Sequence, residues 1–114
     1  MNLYRLAVIF LLPFASVYAG NVAAADTAKA YIVSPAHGEV VTTPVKVIFG
    51  LSGMGVAPAG VDKAKTGHHH LLIDTAIPDL TRPIPADANH RHFGGGQTEA
   101  VIELAHKRPA YHAL

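Results

Sequence analysis

Eight histidines and no cysteine set the chemistry open to this 114-residue chain. Four of the histidines fall into two pairs of equal spacing, His68 with His70 and His90 with His92. On an extended strand, side chains alternate between faces, so residues two apart share a face, with Cα atoms about 6.5–7 Å apart. Two imidazoles at that spacing reach one metal ion. If the segment around His90 and His92 is extended and runs beside the first, up to four imidazoles converge, and His68, His70, His90 and His92 are the candidate ligands. Neutral imidazole suits zinc, copper(II), nickel or iron, and zinc or copper(II) is the cofactor this set would take. Asp74, Glu99 and His37 are candidates for further ligands or for partners that orient a ligand ring. With no thiol, and Met54 as the one methionine beyond the N-terminal segment, a soft copper(I) site does not fit.

The same histidines have a plainer reading, in which they hydrogen-bond to backbone and pin loops. Other chemistries have weaker signals. Gly94-Gly95-Gly96-Gln97-Thr98 has neither the lysine nor the following helix of a phosphate loop. Its glycines are better read as positions of positive φ or close backbone approach. Ser34 and Ser52 carry no nucleophile signature. A hydrolytic metal centre would need an open metal position and a general base, for which Glu99 is the candidate. No catalytic residues are assigned, and binding is favoured over enzymatic activity.

Strands must position these groups. Val45, Val47, Phe49 and Leu51 alternate onto one face of a half-buried strand. Residues 30–34 read as an earlier strand, residues 39–42 as a short one, residues 68–74 as the histidine strand and residues 98–104 as the last. In the histidine strand, His68, His70, Leu72 and Asp74 share one face. His69, Leu71 and Ile73 share the other, more apolar face, which sets His69 at the edge of the core. Pro78, Pro83 and Pro85 exclude a central strand over residues 77–89. Short strands between Pro and Gly turns predict an all-β fold, a small immunoglobulin-like β-sandwich. It would be incomplete, since four or five strands are visible where about seven are wanted.

Residues 1–25 stand apart. One positive charge at Arg5, an apolar run from Leu6 to Gly20 broken only by Ser16, and Ala23-Ala24-Ala25 before Asp26 follow the order of a secretory signal peptide. This predicts a signal-peptide helix over residues 1–25, cleavage after Ala25 (or after Ala19), a β domain over residues 26–105, a divergent tail over residues 106–114, and a periplasmic or secreted location. The apolar run is shorter than a bilayer span and contains Pro13, so no membrane span is expected after cleavage. The net charge is +1, of which Arg5 supplies one positive charge. The remaining chain is neutral with uncharged histidines and has no basic face for nucleic acid. A domain of this length buries a modest share of its surface and is marginally stable.

Three stretches carry a family resemblance: S-P-A-H-G-E-V-V-T-T-P-V-K-V-I-F-G-L over residues 34–51, T-G-H-H-H-L-L-I-D over 66–74 and H-F-G-G-G-Q-T-E-A over 92–100. Together, in this order, they resemble the bacterial family named domain of unknown function 4399, over about residues 29–104. The resemblance implies a small exported β domain and supplies no catalytic residues. After about Ala105 the chain departs from the family pattern and resembles a truncated member.

Two functions are therefore expected as alternatives. One is an exported domain binding a transition metal through clustered histidines. The other is an immunoglobulin-like interaction module for an envelope protein or glycan, with structural histidines.

Overall fold

The computed structural model describes residues 4–11 and 27–105. Among them are seven strands and no helix: β1 (Leu6–Leu11), β2 (Lys29–Ser34), β3 (Val45–Ser52), β4 (Gly55–Val56), β5 (Thr66–Ile73), β6 (His90–Phe93) and β7 (Glu99–Ile102). They form two sheets. In one, β3 lies between β2 and β7, antiparallel to both. In the other, β5 is the shared strand: β1 and β6 pair with it antiparallel, and β4 adds a short parallel ladder at Thr66 and Gly67. The protein is a small all-β sandwich, as the spacing of strands and turns predicts.

The core lies between the sheets, and its composition follows from the period-2 pattern. Val45, Val47 and Phe49 from β3 meet Leu71 and Ile73 from β5, Phe93 from β6, Ile102 from β7 and Leu104. Val47 and Leu71 are fully buried; truncating a buried Leu to Ala in such a position costs about 2–5 kcal/mol. Thr43 ties the far end of the smaller sheet, its Oγ1 accepting the Leu104 N–H at 2.8 Å.

Three elements differ from expectation. Residues 39–42 form no strand; the chain there is irregular and follows a turn at His37 and Gly38, closed by the Glu39 N–H donating to the Ala36 carbonyl at 3.0 Å. Residues 90–93 are a regular strand, too short for periodicity alone to identify. The third difference concerns the expected leader helix. Leu6–Leu11 is a strand whose six residues pair with β5 from Leu6↔Ile73 to Leu11↔His68. Its end is fastened by two bonds at Asp74: the Arg5 N–H donates to Asp74 Oδ1 at 2.8 Å, and the Asp74 N–H to the Arg5 carbonyl at 2.7 Å. The physical reason is that β5 offers an unpaired ladder and an apolar face. In the folded full chain, Leu6 and Val8 bury more as a strand against the core than a lone apolar helix would in water. The expected cleavage positions and the tail over residues 106–114 lie outside the described residues.

Candidate metal centre

The site grows from β5. Its core face carries His69, Leu71 and Ile73, and its opposite face carries His68, His70 and Leu72, as alternation requires. Antiparallel pairing sets His92 of β6 directly across from His70, with His90 across from Leu72. Directly opposed residues share a face, so His92 joins His68 and His70. Each of these three rings offers a nitrogen, and the three atoms lie within 4.8 Å of one another. The rings form a closed cluster: centroids are 4.9 Å apart for His68 and His70, 4.9 Å for His68 and His92, and 4.7 Å for the stacked His70 and His92. The Nε2 atoms of His68 and His70 are 3.0 Å apart.

Burial grades across the cluster. His70 is buried, His68 half-buried and His92 exposed. Burial first, and then the neighbouring His92, lower the pKa of His68. Burial, then His68 and His92, lower that of His70 to about 4. Both rings are therefore neutral near pH 7, the protonation state a metal requires of imidazole.

His90 stands apart from this group. Its Nδ1 lies 2.8 Å from Asp87 Oδ1, and the same carboxylate oxygen accepts the backbone N–H groups of Asn89 and His90, both at 2.9 Å. The three bonds make a turn that starts β6 and orients the His90 ring toward Asp87. The hydrogen bond from His90 pulls the Asp87 carboxyl below its usual range.

The other candidates are also elsewhere. Glu99 is on β7 in the other sheet, paired with Lys46 at 3.2 Å; it is not placed to act as a base at the histidine cluster. Asp74 caps the β5 end at φ 52° and holds Arg5. His37 lies in the exposed turn after β2.

Two features go further than the sequence reading. His69 is not at the core's edge but 1% exposed, held between Phe10 and Phe49 at centroid distances of 5.1 and 5.0 Å. Neither of its ring nitrogens has a hydrogen-bond partner, and burial, followed by His68, lowers its pKa. The second feature is Gly94. A Cβ there would stand 2.7 Å from His92 Cε1 and 2.9 Å from its Nε2, so the absence of a side chain makes room for the His92 ring. Of the three successive glycines, Gly96 is the one with positive φ, at 78°. The run thus combines close approach and backbone freedom at different residues.

Among the described residues no helix is long and apolar enough to cross a membrane. The family model described as Domain of unknown function (DUF4399) matches residues 47–113. The matched stretch holds β4, β5, β6, β7 and most of β3, and with them His68, His70 and His92. It runs past Ala105, where the recognisable motifs end. No curated protein and no solved structure matches the chain.

Proposed function

The chain belongs to the family described as Domain of unknown function (DUF4399), whose description assigns no chemistry, and from that premise we propose that it is a transition-metal-binding domain with His68, His70 and His92 as ligands. One observation carries the reading: three imidazole nitrogens from two adjacent strands lie within 4.8 Å of one another. Borderline nitrogen donors without thiolate or carboxylate favour zinc or copper(II) over magnesium or calcium. The hydrogen bond between His68 and His70 favours this reading over structural histidines, because it joins the two rings and pins no loop.

The reading includes export. Its support is the order of charge, apolar run and small residues in residues 1–25, which fits a domain acting in the periplasm or outside the cell.

The test is metal analysis of the untagged chain, followed by calorimetric titration with zinc and with copper(II). One ion per chain is expected, and the double substitution His68→Ala with His70→Ala abolishes it. Stoichiometric binding that survives the double substitution, or no binding by the folded chain, overturns the reading.

A further inference from the structure

Resting on that metal reading, we propose that an ion held by His68, His70 and His92 keeps one coordination position open to solvent, and that this position exchanges water for small inorganic anions.

The first argument is directional. All three rings rise from one surface of one sheet, so they approach an ion from one side. The burial gradient gives the other side its direction: His70 lies deepest and His92 is exposed. An ion bound there has protein behind it and water beside His92.

The second argument concerns what else could fill the position. On the same face, Ile9 is across from His70 on β1, and Leu72 follows on β5. Both are buried and neither is a ligand. His90, the next imidazole on that face, is turned to Asp87 at 2.8 Å. Among the described residues no fourth His, Cys, Asp or Glu joins the group. Zinc with three protein ligands completes its tetrahedron with water.

The third argument is charge. Three neutral imidazoles leave the full positive charge of a divalent ion uncompensated, whereas thiolate or carboxylate ligands would cancel it. That excess acidifies a bound water and favours an incoming anion over a neutral ligand.

Cobalt(II) in place of zinc makes the prediction visible, because its absorption spectrum reports coordination number and ligand type. The full chain is loaded with cobalt(II), its stoichiometry is measured by equilibrium dialysis, and azide is titrated in. One cobalt per chain and a saturable azide-dependent spectral change are expected, both unchanged in His90→Ala. A bound cobalt whose spectrum ignores saturating azide overturns the open position and leaves the metal reading standing. Azide sensitivity that appears only in His90→Ala does the same, since it makes His90 the fourth ligand. Failure of the folded chain to bind cobalt, zinc or copper(II) overturns both.

Discussion

His70 and His68 share a hydrogen bond through their Nε2 atoms, 3.0 Å apart, on one face of the β5 strand. A bond between two neutral imidazoles needs a donor and an acceptor, so one ring carries its proton on Nε2 and the other on Nδ1. For both rings to hold one zinc through Nε2, the donating ring would move its proton to Nδ1, so that both stay neutral. Two nitrogens at zinc-ligand distance and the tetrahedral angle are about 3.3 Å apart, so this pair is close to ligand spacing before any ion arrives. His70→Ala and His68→Ala are each expected to weaken zinc binding by about 100-fold or more, beyond the loss caused by removing a ligand's supporting partner. His90→Ala is expected to change it by less than about threefold, the lesser effect of a group outside the ligand set. Calorimetry on the three variants decides between this ligand set and one that includes His90.

Gly94 gives a sharper test of geometry, because it touches the site without being a ligand. An alanine Cβ would crowd His92 at Cε1 and Nε2 and also stand 3.3 Å from the Ala59 Cβ. The His92 ring is on the exposed side, so it yields by swinging away from His68 and His70. Gly94→Ala is expected to lower zinc affinity about tenfold while changing folding stability by no more than about 1 kcal/mol, the usual scale for a partly exposed position. Gly95→Ala is the control: its nearest neighbour is the end of the Gln97 side chain, which can move, and zinc affinity should stay at the wild-type value.

Period-2 alternation made much of this readable from the sequence. It gives the inward face of β3, the shared face of His68 and His70, and the core face that holds Leu71 and Ile73. Register is what alternation leaves open. His90 and His92 have the same spacing as the first pair, yet pairing sets His92 against His70 and His90 against Leu72. A shift of two residues would exchange their roles without moving any side chain to the other face. The Asp87 turn that holds His90 has a local signal, since Asp accepts backbone N–H groups two and three residues on. Alternation sets His69 on the core face, but its full burial depends on Phe10 and Phe49 arriving from distant parts of the chain.

That buried His69 has a measurable consequence. A polar group in the core without a partner costs about 1–3 kcal/mol in desolvation. Leucine at the same place fills similar space and carries no polar atom, although it gives up the ring contacts with Phe10 and Phe49. His69→Leu is expected to raise stability by about 1 kcal/mol in urea unfolding, within that desolvation range, and to leave metal stoichiometry unchanged. A loss of stability would mean that the ring contacts with Phe10 and Phe49, or a partner on the imidazole, outweigh its desolvation.

The metal-free protein should also lose stability in acid, and the sign follows from the depressed histidines. In the unfolded chain an imidazole takes up its proton near pH 6.5; folded His70 resists until about pH 4. His68 and His69 shift in the same direction. Between those limits the unfolded state binds more protons, so stability falls as pH falls through the window and is level above it. His70 alone contributes a slope of up to about 1.4 kcal/mol per pH unit. Urea midpoints measured in chelator at several pH values from about 7.5 to about 4.5 check this. In His70→Leu the slope through the window should be clearly shallower.

Removal of residues 1–25 tests the double character of the N-terminal segment, which reads as an export leader and forms β1 in the full chain. Cleavage takes away the six-residue ladder along β5, the two bonds at Asp74 and the Phe10 ring against His69. The β5 edge left behind carries unpaired backbone groups, which favour pairing with another strand. His68 and His70 of β5, together with His92 on β6, stay in the remaining chain. A chain of residues 26–114 is therefore expected to exchange the β5 amides that face β1 faster than the full chain, to unfold at a lower urea concentration and to self-associate as concentration rises. Hydrogen exchange with mass spectrometry over residues 68–73, and light scattering over a concentration series, measure both effects. Equal protection over those residues in the two chains would mean that Leu6–Leu11 contributes no ladder, and that β5 is an edge from the start.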